Sequence, residues 1–329
     1  MTETTESVAR SLASDLEKVE ARLREVTSHV EESIAGPAGH LAAAGGKRLR
    51  PLLTLLTSLL GEGVNGKVQE AAVSVELTHL ATLYHDDVMD SATIRRGAPA
   101  VQSLWGNNVA ILTGDLLFAR ASQIVAALGP DAVMMHATTF ERLCLGQLHE
   151  TIGAGEGVDP IEHYLRVLAD KTGSLIATSA RYGAMFGGAS EDVVAAMESF
   201  GEKVGIAFQL ADDVIDLSSD ADVTGKTPGT DLREGVDTMP VLLLRRHEAR
   251  GSLDADGREI LAMLAVDLKD DESLASAVAR LRGHQVVDET RAMAREWADA
   301  AVAELDRLPE GPVRATLGDF AFQLVNRIA

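Results

Sequence analysis

Two copies of one acidic pattern end apolar helical segments of this chain. The first is DDVMD at residues 86–90, and the second is DDVID at residues 212–216. Positions i, i+3 and i+4 share one face of a helix, so Asp90 stacks with Asp86 and Asp87. Burying the negative charge of carboxylates costs free energy unless a counter-charge or hydrogen-bond donors accompany them. Mg²⁺ commonly joins one or two carboxylates to substrate phosphates. The repeated pattern therefore predicts two metal-binding segments and disfavours two solvated helix ends.

Basic residues near these motifs provide counter-charge, although Lys and Arg number only 30 against 50 Asp and Glu. Residues 45–51, GGKRLRP, combine charged donors with glycines that let an anion approach the backbone. His79 lies two helical turns before Asp86 on the same face, and Gln209 lies one turn before the second motif. Further basic positions are Arg95, Arg96, Lys171 and Lys226. Each alone would be a solvated surface charge, but together they suit a diphosphate held with Mg²⁺.

The elements that position these residues are predicted to be helices of a single all-α domain spanning 1–329. Apolar residues make up 46% of the chain and recur mostly at helical spacing, without a series of alternating strands. We expect Gly36-Pro37 to break the first helix, and residues 218–235 to form a long loop. The helices are expected at about residues 6–34, 68–90, 108–128, 131–152, 160–186 and 191–217.

Net charge and cysteine content exclude several classes of protein. A net charge of −20 argues against general nucleic-acid binding and against attachment to an anionic bilayer. The single cysteine, Cys144, is expected to be buried in a helix and cannot form an intrachain disulfide. The acidic N-terminus does not resemble a signal peptide, and no segment is expected to be apolar enough to span a membrane. We therefore expect a cytoplasmic protein.

Six segments carry a resemblance to a known family. They are GGKRLRP, ELTHLATLYHDDVMDSATIRRG, GDLL, KTGSL, FQLADDVIDL and GKTPGTDLREGVDTMP, in order from Gly45 to Pro240. Together they resemble the motif series of the trans-isoprenyl diphosphate synthases, or polyprenyl synthetases. The resemblance implies a helical bundle around a central active-site cavity, the type I isoprenoid synthase fold, in a homodimer. It also implies Mg²⁺-dependent head-to-tail condensation of isopentenyl diphosphate with an allylic diphosphate, with three Mg²⁺ ions per active site.

The resemblance assigns roles to matching positions. The implied Mg²⁺ ligands are Asp86, Asp90, Asp212 and Asp216, supported by Asp87 and Asp213. The implied ligands of isopentenyl diphosphate are Lys47, Arg50, His79 and Arg96. The implied ligands of the allylic diphosphate are Arg95, Lys171, Thr172, Gln209 and Lys226. The implied catalytic residues are Asp86, Asp87, Asp90, Lys171, Asp212, Asp213 and Lys226.

Small residues before the first motif bear on product length. Thr82 and Ala81 lie four and five residues before Asp86, about one helical turn deeper, and Thr78 lies two turns down. Family members that stop at short products often carry an aromatic residue here. The small residues therefore favour a long product of the quinone-tail type, about C30 to C50. The alternative is that they serve helix packing, with the cavity floor set by Met134, Met135 or Phe140.

Three rival functions remain open. A shorter-chain synthase would make geranylgeranyl or farnesyl diphosphate with the same motifs. A terpene cyclase also uses a DDxxD motif and Mg²⁺, but it lacks a site for isopentenyl diphosphate. A non-catalytic subunit of a heteromeric synthase tends to lose the aspartates that this chain retains. For any of the synthases, the apolar product can partition into a membrane although the protein does not span one.

Overall fold

The computed structural model of the chain describes residues 5–29, 31–218, 228–266 and 268–326. Its regular structure in these ranges is almost entirely helical, which confirms the predicted all-α class. The strands of the described residues are β1 (Ile94–Arg95) and β2 (Ala98–Pro99), which pair antiparallel. This hairpin follows the first acidic motif along the chain.

The helices follow the predicted order closely. In the first half of the chain they are α1 (Thr5–Thr27), α2 (Glu32–Ala43), α3 (Leu49–Ser58), α4 (Gly66–Met89), α5 (Val101–Trp105), α6 (Asn107–Leu128) and α7 (Pro130–Ile152). In the second half they are α8 (Pro160–Leu168), α9 (Ser174–Phe186), α10 (Glu191–Ser218), α11 (Thr230–Glu234), α12 (Met239–Ala249), α13 (Ala255–Leu264), α14 (Asp271–Arg282), α15 (Gln285–Glu304) and α16 (Pro312–Val325). A π-helical turn (Ala169–Gly173) joins α8 to α9, and a 3₁₀ turn (Leu305–Arg307) follows α15.

The chain divides into two compact units. The first comprises Met1–Glu141, Ser174–Gly201 and Glu304–Leu317, and the second comprises Arg142–Gly173, Glu202–Ala303 and Gly318–Ala329. The first acidic motif belongs to the first unit and the second motif to the second unit. The expectation of a single domain stays a prediction.

Helix α4 is the central element of the first unit and ends in the first acidic motif. The Asn65 side chain caps its start by accepting hydrogen bonds from two backbone amides, at 2.9 and 3.1 Å. The helix packs against α1, α3, α6 and α9. Its approach to α6 is close, because a Cβ on Gly114 would lie 2.4 Å from His85 Nε2 and 3.2 Å from the Ala81 carbonyl oxygen. Packing on several sides thus holds the helix that presents the aspartates.

The core of the second unit surrounds the C-terminal half of α10. Leu210 and Val214, on either side of the second motif's aspartate pair, are fully buried in one apolar cluster with residues of α12 to α15. Val214 stands at the same internal motif position as Val88 of the first motif. Burial of these apolar residues stabilises the helix that carries the second set of carboxylates.

The prediction that Gly36-Pro37 breaks the first helix was wrong. Helix α1 ends earlier, at Thr27, and Pro37 lies inside α2. Proline lacks the amide that an interior helical position would donate, but Pro37 is buried and its carbonyl accepts a 2.6 Å hydrogen bond from the Tyr84 hydroxyl of α4. Burial raises the pKa of Tyr84 to about 12, so this hydroxyl remains a donor at neutral pH. Tertiary contacts therefore override the local signal.

The predicted continuous helix over residues 160–186 is also interrupted. Helix α8 ends at Leu168, and the π-helical turn (Ala169–Gly173) precedes α9. Such turns inside helices frequently mark functional sites. Here the turn contains Lys171 and Thr172, two residues that the resemblance assigns to diphosphate binding.

Two further expectations are corrected by surface exposure and composition. Cys144 is exposed, so the expectation that it is buried was wrong. Among the described residues, α6 is long and apolar enough to cross a membrane by length and composition alone, contrary to the expectation from the sequence. This is weak evidence for a span, because core helices pass the same test. Helix α6 packs along α4 with Thr113, Leu117 and Ala121 buried.

Candidate active site

The first acidic motif presents its aspartates in two different environments. Asp86 is partly exposed and Asp90 is exposed, whereas the Asp87 side chain is only 1% exposed. Arg95 Nε donates to Asp87 Oδ1 at 2.6 Å, and Gln102 Nε2 donates to the Asp87 carbonyl at 2.8 Å. Burial raises the pKa of the Asp87 carboxyl, and Arg95 opposes this rise. Asp87 therefore anchors the end of α4 to the β1–β2 hairpin, while Asp86 and Asp90 remain accessible to solvent.

The second motif repeats this division. Asp212 and Asp216 are partly exposed, whereas Asp213 is 4% exposed. The Tyr164 hydroxyl reaches both oxygens of Asp213, at 2.9 and 3.0 Å, and the Met239 amide donates to Oδ2 at 3.1 Å. Burial raises the pKa of the Asp213 carboxyl well above its usual range, and the two donors oppose it. The middle aspartate of each motif is thus held by protein partners.

The GGKRLRP segment turns its basic residues in different directions. Lys47 is exposed, and Arg50 is partly exposed with a buried Nε that has no hydrogen-bond partner among the described residues. Arg48, between them, is buried. Desolvation lowers the pKa of Arg50 to about 10, so it stays charged at neutral pH. An unpartnered guanidinium nitrogen beside an exposed lysine suits an anionic ligand.

Arg96 and His79 interact electrostatically with Arg50. Arg96 Nη1 donates to the carbonyls of Leu41, at 3.1 Å, and of Gly45. The guanidinium lies directly over Gly46, where an added Cβ would be 2.9 Å from Arg96 Cζ. Desolvation, together with the charges of nearby arginines, lowers the pKa of His79 well below its usual value. The imidazole is therefore neutral at pH 7 and can donate one hydrogen bond.

The residues predicted to set product length lie along α4. Thr78 and Ala81 are buried and Thr82 is partly exposed. The hydroxyl of Thr78 donates to the Ser74 carbonyl and that of Thr82 to the His79 carbonyl, both at 2.8 Å. The alternative floor residues Met134 and Phe140 are on the chain surface, at 69% and 38% exposure, and Met135 is partly exposed.

The π-helical turn carries two of the predicted allylic-diphosphate residues, Lys171 and Thr172, and α10 carries Gln209. Lys171 Nζ lies 2.5 Å from Glu150 Oε2, Thr172 is buried, and Gln209 is partly exposed. Lys226 lies outside the described residues. Glu150 was not among the predicted site residues, because its one signal in the sequence was an acidic residue near the end of a predicted helix.

An ion-pair cluster beside the turn was also missed. Arg142 Nε donates to Asp170 at 2.7 Å, and Arg142 Nη1 donates to Glu202 at 2.9 Å. These contacts secure the turn next to Lys171. The partners come from three separate helical segments, so spacing along the chain could not have revealed them.

Most of the chain matches one family of known proteins. A sequence model of the family described as polyprenyl synthetase matches residues 31–281. The chain belongs to the polyprenyl synthetase family. The match contains every segment that carried the resemblance, from Gly45 to Pro240. It favours a synthase over a terpene cyclase, in agreement with the second DDxxD motif.

Individual members of the family resemble the chain over almost its full length. It is 42% identical to the nonaprenyl diphosphate synthase of Mycobacterium tuberculosis, covering 97% of this chain and 94% of that protein. It is 34% identical to heptaprenyl diphosphate synthase component 2 of Geobacillus stearothermophilus, covering 96% and 97%. A crystal structure of geranylgeranyl pyrophosphate synthase from Corynebacterium glutamicum, complexed with calcium and isoprenyl diphosphate, is similar with a TM-score of 0.84. That protein is 40% identical, with 98% of this chain and 97% of that one covered.

Proposed function

We propose that this polyprenyl synthetase condenses isopentenyl diphosphate head-to-tail with an allylic diphosphate to make an all-trans polyprenyl diphosphate. The observation that carries the proposal is the shared design of the two acidic motifs. In each, a buried middle aspartate is anchored by protein partners while the flanking aspartates are accessible to solvent. The cationic region around Arg50 and Arg96 is the natural complement for a diphosphate.

The proposed metal ligands are Asp86, Asp90, Asp212 and Asp216. Among the described residues, no group of three or more His, Cys, Asp or Glu side chains is close enough to hold a metal ion by itself. This donor set fits Mg²⁺, which typically takes one or two carboxylates together with water and substrate phosphate oxygens. Bound Mg²⁺, three ions per active site in our proposal, would offset charge on the departing diphosphate. The complex of the Corynebacterium glutamicum protein with calcium supports a divalent-cation site.

Two sets of residues are proposed to bind the substrates. Isopentenyl diphosphate is assigned to Lys47, Arg50, His79 and Arg96, and the allylic diphosphate to Arg95, Lys171, Thr172, Gln209 and Lys226. Arg95 pairs with the buried Asp87, which limits the motion of its guanidinium. The neutral His79 adds a hydrogen-bond donor without adding charge. Asp87 and Asp213 act as supports for the motifs.

The reaction then follows from charge and proton balance. The bond between C1 and the oxygen of the allylic diphosphate breaks, and diphosphate leaves with both electrons. The double bond of isopentenyl diphosphate attacks the resulting allylic cation, forming the new carbon–carbon bond. A proton is lost from the condensed cation, and the released diphosphate is its proposed acceptor. Lys171 and the arginines stabilise the leaving group through charge that is already in place.

A long product of about C30 to C50 is proposed from the small residues before the first motif. Ala81 and Thr82 present no aromatic barrier one turn below Asp86. The similarity to a nonaprenyl diphosphate synthase supports this length. The similarity to a geranylgeranyl pyrophosphate synthase supports the alternative of a shorter product. We propose that the enzyme is cytoplasmic and that its apolar product partitions into the membrane.

A homodimer is proposed from the exposed apolar face of α6 and the start of α7. Leu112 and Met134 are 66% and 69% exposed, and the two helices adjoin through Phe118 and Phe140, whose ring centroids are 4.4 Å apart. Such exposed apolar surface commonly marks an interface. The similarity to a protein named as component 2 supports the rival in which a different subunit covers this face. Sedimentation of the purified chain, followed by assay of the isolated species, separates these arrangements.

The decisive experiment incubates the purified chain with Mg²⁺, labelled isopentenyl diphosphate and either farnesyl or geranylgeranyl diphosphate. Chromatography of the products gives the chain length. We expect elongation that stops in the C30 to C50 range and is abolished by chelation of the metal. Elongation of neither primer would reject the proposed activity for the isolated chain, and products of C20 or shorter would select the shorter-chain alternative.

A further inference from the structure

Arg48 is the basic residue of the GGKRLRP segment that has no proposed substrate role. Its side chain is 4% exposed, and every nitrogen of its guanidinium donates to a protein acceptor. Nη1 donates to Glu76 Oε1 at 2.8 Å, Nη2 donates to the Ala42 carbonyl at 2.8 Å, and Nε donates to Glu20. Because the side chain is buried and each of its nitrogens is engaged by a protein acceptor, Arg48 is not available to a diphosphate.

Glu76 is the buried carboxylate of this network, with 2% of its side chain exposed. It lies on α4, one turn before His79, and its Oε1 is 3.8 Å from Arg96 Nη2. Its negative charge also favours the charged form of Arg50, which the charge of Arg96 disfavours. Glu76 therefore faces the cations that are assigned to isopentenyl diphosphate and offsets their mutual repulsion.

The backbone at Arg48 adds a second observation. Its φ of 48° and ψ of 38° place a non-glycine residue in the left-handed region, immediately before α3 begins. This conformation is unfavourable for residues with a Cβ and persists only where surrounding contacts hold it. The turn directs the side chain of Arg48 inward and leaves Lys47 exposed. The three acceptors of Arg48 are the contacts that hold the turn.

We propose that the buried network of Glu20, Arg48 and Glu76 is the positioning element of the isopentenyl diphosphate site. It holds the turn that presents Lys47 and Arg50, and it keeps Arg50 and Arg96 assembled before the substrate arrives. Arg48 and Glu76 are positioning residues, since neither is accessible to the substrate. The inference rests on the proposed function for the identity of the ligand. It assigns to this network selective control over one of the two substrates.

A purely structural role for the network makes a different prediction. Removing one member of a buried ion pair leaves an unpaired charge and destabilises the protein, whatever the pair is for. Arg48→Met retains the aliphatic stem but leaves Glu76 without its 2.8 Å partner. The double variant Arg48→Met/Glu76→Gln removes that buried charge as well. If the network only stabilises the fold, the double variant restores both stability and binding. If it positions the site, stability returns and binding does not.

The matched control is Arg22→Met. Arg22 also joins α1 to α4, through a 2.9 Å ion pair with Glu70, and it lies two residues after Glu20 on α1. Its acidic partners, Glu70 on α4 and Glu25 on α1, have no assigned role at either substrate site. Loss of the pair with Glu70 tests whether any broken contact between the two helices affects substrate binding.

The experiment measures the Kd of isopentenyl diphosphate by calorimetry, its KM, the KM of the allylic substrate and the Tm of each variant. We expect Arg48→Met and the double variant to weaken isopentenyl diphosphate binding at least tenfold. We expect the allylic KM to stay within about twofold and Arg22→Met to bind as the wild type does. Arg48→Lys, which keeps the charge but loses the planar fork, should recover part of the binding.

Several results would overturn the proposal. Unchanged binding in Arg48→Met would do so, as would recovery of binding together with Tm in the double variant. Parallel loss of affinity for both substrates would reduce the network to a general structural element. Calorimetry of the wild type distinguishes failure of the network proposal from failure of the proposed enzymatic function. Wild-type binding without turnover refutes the reaction while still testing the network, and a wild type that does not bind isopentenyl diphosphate refutes both.

Discussion

Gly46→Ala is the substitution whose consequence for the proposed isopentenyl diphosphate site can be worked out most directly. Gly46 has φ of +146°, and an added Cβ would lie 2.9 Å from Arg96 Cζ, 3.0 Å from Nη1 and 3.1 Å from Nη2. These contacts are too short, so the guanidinium must move away from its present position. Arg96 would then lose its alignment with the carbonyls of Leu41 and Gly45. We expect the substitution to displace an assigned ligand of isopentenyl diphosphate.

The substitution should affect stability and substrate binding separately. Placing alanine in an unfavourable backbone region costs about 1–3 kcal/mol of folding free energy. Displacing Arg96 weakens a charged hydrogen bond to the diphosphate, which is worth roughly 1.5–3 kcal/mol. Because about 1.4 kcal/mol corresponds to tenfold in affinity, we expect the KM of isopentenyl diphosphate to rise at least tenfold. The KM of the allylic substrate should change little.

The neighbouring glycine provides the control. Gly45 has φ of +83°, and nothing lies within 4 Å of a Cβ added there. Gly45→Ala therefore introduces backbone strain without placing a Cβ against the Arg96 guanidinium. Steady-state kinetics with each substrate varied in turn, combined with thermal unfolding, compares the two variants. Equal increases in the KM of isopentenyl diphosphate would show that backbone strain is responsible, and the predicted effect of the Cβ contact with Arg96 would be refuted.

The remaining predictions concern the metal, product length and pH. Asp86→Ala and Asp212→Ala should each reduce turnover by at least about 10²–10³ with the circular-dichroism spectrum retained, and full activity in either would remove it from the metal ligands. Ala81→Phe should shorten the product and should cost about 1–3 kcal/mol of stability, because it overpacks a buried position. Chromatography measures the product length, and an unaltered distribution of product lengths would exclude Ala81 from the cavity. The pKa of His79 is lowered by folding, so its contribution to stability is complete above its unfolded value of about 6.5 and is lost as pH falls through and below that value. His79→Gln should therefore reduce the fall in Tm between about pH 7.5 and 5.5, and an identical pH dependence in both proteins would contradict the predicted shift.

The pattern of apolar residues was sufficient to predict the helices that carry the acidic motifs. Helix α4 was expected at 68–90 and is found at Gly66–Met89, and α10 was expected at 191–217 and is found at Glu191–Ser218. Both are long and strongly periodic, which is where local patterns are most informative. The family resemblance, carried by motifs in order along the chain, also required no coordinates.

Local signals failed where distant residues supply the stabilising contact. Pro37 remains helical because Tyr84, far away in the chain, donates to its carbonyl. The π-helical turn at Lys171 is tied to other helices through Arg142 of α7, which pairs with Asp170 in the turn and with Glu202 of α10. Cys144 is exposed although its neighbours along the chain are apolar, because the orientation of its helix depends on packing. Propensity at a single position cannot encode such partners.

The helical class, the two sets of three aspartates and the basic segments that complement them can all be read from the amino-acid sequence. The environment of each aspartate, in contrast, depends on how the helices pack. Adjacent helical residues point about 100° apart, so Asp86 and Asp87 cannot both face the same surroundings. In the folded chain, Asp87 contacts Arg95 and Asp213 contacts Tyr164. Arg48 is buried and Lys47 is exposed. Which charged side chains are buried depends on residues of other helices and strands, because a buried charge is stable only beside a hydrogen-bond donor or a counter-charge.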